Sequence, residues 1–257
     1  MDSREQLIAL AIKHEGNWHN ILRALQLREY VEDDEIDVNA YLRRYKCKVL
    51  TILDKEYPRY LRCRFQPPFV LFYYGDISLI NDMYKNVAIV GSREPSVSGI
   101  ENTRMIAEGV AKKYNIVSGL AAGLDAIAHI AAINMGGKTI AVLGNGIEYC
   151  YPSENAELYE ELKKNHLVIS EYFGYISPNT YNFPQRNRLI VMFSCATIVG
   201  EANHRSGSLM TANYTVSYHN TLMCIPSSDI VNSACDSFIK DGCDMVLSAQ
   251  DVFDILE

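Results

Sequence analysis

From residue 86 onward, short continuous apolar runs alternate with stretches of helical periodicity. No other feature of the chain constrains its fold as tightly. The runs cover residues 87–90, 116–118, 139–143, 167–170, 196–199 and 221–225. Residues 100–114, 125–135, 155–165, 208–218 and 249–256 read as helices. An apolar run without polar alternation belongs to a strand buried on both faces. Such strands, joined through helices of about ten residues or more, predict an α/β fold. The expectation is a mostly parallel sheet with helices on both faces.

The first part of the chain differs. Residues 6–45 carry apolar positions at three-four spacing, and Gly16-Asn17 breaks the run into a helix-turn-helix pair. The acidic cluster Glu32-Asp33-Asp34-Glu35 reads as a solvated loop. A strand is expected at 49–52, and a buried one at 69–74 that ends at Gly75-Asp76. The domain expectation is a helical module over 1–44, followed by an α/β domain over 45–257.

The formal net charge of −7 excludes a broad basic field for nucleic acid, so any polyanion site must be a local patch. Half of the 24 lysines and arginines lie before residue 65, which gives weight to the few arginines beyond it. The seven cysteines form no Cys-x-x-Cys pair and are odd in number, against zinc ligation and a disulfide framework. Reduced thiols and a charged start without a signal-like apolar stretch fit a cytoplasmic protein. No apolar segment is long enough to span a bilayer.

In an open parallel sheet, ligands bind beyond the carboxyl ends of the strands. Gly91-Ser92-Arg93 follows the first core strand and offers backbone N–H groups, a hydroxyl and a guanidinium, a set that suits a phosphate. It equally fits a tight strand-to-helix turn. It is neither a dinucleotide fingerprint nor a Walker loop. Ser118-Gly119 opens a second glycine-rich loop, in which Asp125 reads as a helix cap and His129 as an interior histidine rather than a catalytic pair. Asn145 and Tyr149 lie in a third loop, where tyrosines could stack on bases or pack on neighbouring loops. Arg186-Asn187-Arg188 reads as a polar loop with two phosphate-gripping forks. Ser206-Gly207 makes a further turn. Glu201 and His204 flank Arg205 but supply too few ligands for a metal.

These motifs, in this order, resemble the DprA/Smf family of DNA-processing proteins over roughly residues 48–256. The resemblance runs through Asp54-x-x-Tyr57-Pro58-x-x-Leu61, Gly91-Ser92-Arg93, Ser118-Gly119-Leu120-Ala121, Tyr151-Pro152, Ser170-Glu171-Tyr172, Phe183-Pro184, Arg186-Asn187-Arg188 and Ser206-Gly207-Ser208-Leu209. It implies an extended Rossmann-like fold without a cofactor and a sterile-alpha-motif-like character for the N-terminal helices. Binding of single-stranded DNA, homodimerisation and loading of RecA during natural transformation are also implied. The DNA site it implies comprises Gly91, Ser92, Arg93, Ser118, Gly119, Asn145, Tyr149, Arg186, Asn187, Arg188, Ser206 and Gly207. No enzymatic activity is expected. The rival expectation is a nucleotide-binding enzyme or sensor resembling nucleotide N-glycosidases, whose Pro-Gly-Gly-x-Gly-Thr-x-x-Glu motif the chain lacks. Many family members carry a lysine after Tyr-Pro, where this chain has Ser153, and Asn232-Ser233-Ala234-Cys235 replaces a late Gly-x-Asn segment.

Overall fold

The computed structural model describes residues 1–32, 34–204, 206–227 and 233–257. Asp33, Arg205 and Asn232, named above, lie outside them. Three helices lead: α1 (Ser3–Lys13), α2 (Trp18–Gln26) and α3 (Val38–Tyr45). Then come β1 (Lys48–Thr51), α4 (Arg59–Arg62), β2 (Val70–Gly75), β3 (Asn86–Val90), α5 (Val97–Val110), β4 (Asn115–Ser118) and α6 (Leu124–Asn134). They are followed by β5 (Thr139–Leu143), α7 (Ala156–Asn165), β6 (Leu167–Ser170), α8 (Asn182–Met192) and β7 (Ala196–Val199). The last elements are α9 (Ser208–Ser217), β8 (Thr221–Cys224), α10 (Ala234–Lys240), β9 (Asp244–Met245) and α11 (Ala249–Leu256).

All nine strands described join one sheet, in the order β1-β2-β6-β5-β4-β3-β7-β8-β9. The six apolar runs expected as strands are β3 to β8, and every pairing among them is parallel. β2 pairs antiparallel with β6, and β1 antiparallel with β2. Alternate residues of β3 enter different cores. Ala88 and Val90 pack with Leu189 to Phe193 beneath α8, whereas Val87 and Ile89 pack with Ile106 of α5 and Ala128 of α6. Both faces are therefore covered, as a parallel sheet requires. The strand order reverses between β3 and β7, and the crevice beyond their carboxyl ends is where such a sheet places a ligand.

The N-terminal helices begin on side-chain caps: Asp2, Asn17 and Asp37 each accept a backbone N–H, a device worth about 1 kcal/mol apiece. Gly16 turns the chain between α1 and α2 at φ +70°, and a Cβ there would meet the Glu171 carbonyl oxygen at 2.5 Å. Leu7, Ile8, Ile21 and Val38 share one core with Val70, Phe72 and Leu143 of the sheet. Arg4 crosses to Asp54, its Nε 2.7 Å from Oδ1, and pins α1 to the turn after β1.

One expectation fails here. Residues 182–192, read from sequence as a polar loop beside an apolar run, form the helix α8. Pro184 does not break it, because in the first turn its missing N–H would have had no partner within the helix.

Candidate functional site

A cavity of about 480 Å³ opens at the strand-order reversal. Gly91, Ser92 and Arg93 after β3, Arg186 and Asn187 on α8, and Ser206 and Gly207 before α9 all line it. Helices α6, α8 and α9 each follow a strand, and their first turns line the cavity through Asp125, Phe183 with Pro184, and Ser208. The N-terminal ends of helix dipoles favour an anion there.

Arg93 is exposed, with its guanidinium carbon 5.3 Å from the Phe183 ring centroid. Arg186 sits 5.9 Å from the same centroid, so two cations share one ring. Arg186 is buried and donates from Nη1 to the Gly119 carbonyl at 2.6 Å and to the Val142 carbonyl. Burial pushes its pKa down to about 10; Asp125 opposes that shift and Arg93 adds to it. The Asp125 carboxyl is pushed up by burial, against the pull of Arg186 and the Ala121 and Gly119 amides. Gly119 stands between the two side chains. A Cβ there would lie 2.7 Å from Arg186 Cζ and 2.7 Å from Asp125 Oδ2.

Five of the expected site residues do not line the cavity. Ser118 is buried and donates from Oγ to the Ile89 carbonyl at 2.6 Å, tying two strand ends. Gly119 holds Arg186, as described. Asn145 is buried and donates from Nδ2 to the carbonyls of Gly146 and Tyr149, which shapes that loop. Tyr149 is exposed but lies away from the cavity lining. Arg188 is fully buried, and its Nη1 and Nη2 each donate to a Glu171 carboxylate oxygen at 2.7 Å. The expectation of Arg186 and Arg188 in a surface loop is thus corrected: both lie inside on α8, and one turns to the cavity wall while the other pairs within the protein.

Asp125 does not cap α6. It accepts from the Gly119 N–H at 3.1 Å and the Ala121 N–H at 3.4 Å, closing the loop before the helix. His129 points instead to Thr139, with Nδ1 2.6 Å from Oγ1. The Thr139 hydroxyl already donates to the Ile116 carbonyl at 2.8 Å, so Nδ1 carries the imidazole proton. Its Nε2 is buried without a partner, and burial pushes the His129 pKa down to about 3. Glu201 is buried and accepts from Ser96, at 3.1 Å from the backbone N–H, fastening the end of β7 to the start of α5. Among the described residues no cluster of three or more histidine, cysteine or acidic side chains is placed to hold a metal.

Two residues at the site were not among those expected to form it. Phe183 is the ring between the arginines; its place beside Arg186 in the motif was the available signal. Asn155 donates from Nδ2 to the Leu120 carbonyl at 3.0 Å. Leu120 has φ +59°, a left-handed conformation costing a non-glycine residue about 1 kcal/mol or more. Nothing in the local sequence announces that partnership across 35 positions.

The profile of a family described as DNA recombination-mediator protein A matches residues 48–257. The chain belongs to that family. DNA processing protein DprA of Streptococcus pneumoniae is 36% identical over 231 residues, covering 89% of this chain and 80% of the relative. Its namesake in Bacillus subtilis is 34% identical over 222 residues, covering 85% of this chain and 74% of the relative. The solved S. pneumoniae structure superposes with a TM-score of 0.83 at 33% identity, covering 98% of this chain and 93% of that one. A DNA processing protein A structure from Helicobacter pylori, described in terms of its single-stranded DNA binding mode, gives 0.73 at 27% identity over 81% of this chain and 95% of that one. The family's fold, a Rossmann-like sheet with helices on both faces, is the one described above. The seven cysteines are all free thiols, and no helix among the described residues is long and apolar enough to cross a membrane.

Proposed function

We propose that this protein binds single-stranded DNA at the cavity beyond β3 and β7 and hands it to a RecA-type recombinase, acting as a homodimer. The observation that carries the reading is Arg93. Among the described residues it is the exposed guanidinium at the cavity, and it stands over an aromatic ring that can also receive a base. Arg186, whose Nη1 is held by two backbone carbonyls and whose Nε is held by Asn187, adds positive potential from behind the Phe183 ring. Ser206, Gly207, Ser92 and Asn187 supply polar groups around the phosphate. Membership of a recombination-mediator family and the resemblance to a single-strand-binding relative support the recombinase partner and the DNA class.

Binding rather than turnover is the proposed activity. Asp125, His129 and Glu201, the residues weighed for chemistry, are each engaged in holding loops or strands together. The Ser96 hydroxyl that donates to Glu201 is occupied as the cap of α5, where it accepts from the Gly99 N–H. The test is fluorescence anisotropy with single- and double-stranded oligonucleotides. The wild type should favour the single strand. Arg93→Ala should weaken binding on all sequences alike and flatten the log K against log[salt] slope by about 0.7. An Arg93→Ala protein that binds as tightly as wild type at moderate salt places the DNA elsewhere.

A further inference from the structure

A second and larger cavity, about 790 Å³, lies between the N-terminal helices and the loop after β6. We propose that it is a base-stacking subsite that receives the nucleotides flanking those held at the Arg93 cavity. The inference rests on the single-strand reading given above.

Its floor is aromatic and rigid. Phe173 is buried, with ring centroids 4.8 Å from Phe72, 5.1 Å from Tyr45 and 5.8 Å from Tyr41. Tyr45 in turn meets Tyr175 edge-on at 5.8 Å. The rim is aromatic and open: Tyr175 is 64% exposed and Tyr181 80% exposed. The Tyr175 ring, backed by Tyr45, and the open Tyr181 ring offer faces on which successive bases stack, irrespective of sequence. Asn20 and Asn182 add amide groups to the same wall.

Position commits the groove to the DNA rather than to another ligand. Tyr181 and Asn182 wall this groove, and the next two residues, Phe183 and Pro184, wall the Arg93 cavity. The two cavities thus meet along one segment, 181–184, and a strand with its phosphate on Arg93 has the Phe183 ring and then Tyr181 as its neighbours along that segment. Charge points the same way. Exposed Arg43, Arg44 and Lys46 close the end of α3 beside the groove, with Arg44 5.2 Å from the Tyr45 ring. Within residues 1–64 basic side chains slightly outnumber acidic ones, whereas the remainder of the chain is strongly acidic. Among the described residues lining the groove one is a carboxylate, Glu15, and the three cations stand beside the lining on α3.

The test uses the full chain and two oligothymidylates, one of about five nucleotides and one of about twenty, chosen to span one and both subsites. Tyr175→Ala/Tyr181→Ala should weaken the longer oligonucleotide about fivefold or more per ring. It should leave the short one and the salt slope unchanged. Tyr175→Phe/Tyr181→Phe should bind like wild type, because the ring and not the hydroxyl makes the contact. Both tyrosines are exposed, so folding is not at stake. The inference is overturned if the alanine pair binds the longer strand as wild type does. It also fails if both lengths weaken equally, or if the phenylalanine pair behaves like the alanine pair. Should Arg93→Ala weaken both lengths while the tyrosine variants change neither, the groove fails alone and the cavity reading stands. Should wild type bind neither oligonucleotide, the cavity reading fails and takes the groove with it.

Discussion

Replacing Arg188 with methionine should cost the protein much of its stability while sparing its DNA site. The guanidinium is fully buried and makes two 2.7 Å bonds to a Glu171 carboxylate that is itself buried. Burial disfavours the Arg188 charge, but Glu171 overrides this and the Arg188 pKa is raised. Arg188→Met keeps the aliphatic stem and leaves Glu171 uncompensated in the interior. Breaking a buried pair by removing one partner costs about 3–5 kcal/mol. For a chain of this size that lowers Tm by roughly 6–20 °C. Replacing both partners with apolar residues of similar volume, Arg188→Met with Glu171→Leu, should recover most of the loss, because no charge is left stranded. Urea denaturation followed by tyrosine fluorescence measures each variant, and anisotropy at several salt concentrations measures the DNA site. The salt slope of Arg188→Met should equal that of wild type. A variant of undiminished stability with a flatter slope would show that Arg188 grips phosphate after all, and the buried pairing would be refuted.

Three further predictions follow from the geometry. His129 is neutral in the folded protein, with its pKa pushed down to about 3 by burial, with His166 and Arg186 acting the same way. The unfolded chain takes up that proton near pH 6.5, so stability should fall as pH drops from about 6.5 towards 4, by up to about 1.4 kcal/mol per unit from this residue. His129→Gln should lose that part of the slope in denaturation at pH 7 and pH 5, and equal slopes in the two proteins would contradict the assignment. Burial also lowers the His166 pKa, which adds a slope of the same sign to both proteins. Gly119→Ala should cost about 1–3 kcal/mol, because its Cβ would press on Arg186 and Asp125; it should also weaken single-strand binding, and a variant normal in urea midpoint and in affinity would show that the two side chains yield freely. Ser153 is exposed and its Oγ contacts Glu154 at 3.4 Å, not a helix amide, so Ser153→Lys should leave Tm unchanged, tighten DNA binding and steepen the salt slope by roughly 0.7.

The sheet was legible in the sequence because its six parallel strands are buried on both faces and therefore read as unbroken apolar runs. Residues such as Val87 to Val90 leave no room for another interpretation. α8 was not legible. Pro184 and the polar stretch through Arg188 obscure its first two turns, and only its apolar second half carries a signal. The division of labour between the arginines was equally hidden. Arg93 and Arg188 are the same residue type in comparable motifs, yet one is exposed and the other has a carboxylate 17 positions away in sequence. Local spacing cannot register such a partner. The same holds for Asn145, whose amide serves its own loop, and for Asp125, whose place in the first turn of α6 suggested a cap. Seven of the twelve expected site residues line one cavity because they sit at strand ends and helix starts, where topology alone brings them together.

The core shared by α1, α2, α3 and the sheet bears on how the N-terminal helices can be studied at all. Leu7, Ile8, Ile21 and Val38 cover Val70, Phe72 and Leu143, and Trp18 stacks on Phe69 at 5.3 Å. Cutting the chain before β1 would bare that apolar face next to an edge strand, the combination that recruits other chains. A truncated protein that precipitated, or failed to bind DNA, would report on its exposed sheet and not on any task of the helices. Their contribution is accessible through substitutions on the outer surface, such as Arg43 and Arg44, which leave the shared interior intact. The same continuity means that the two parts of the chain have to change in step: a larger residue at Phe72 must be met by a smaller one on the helices above it.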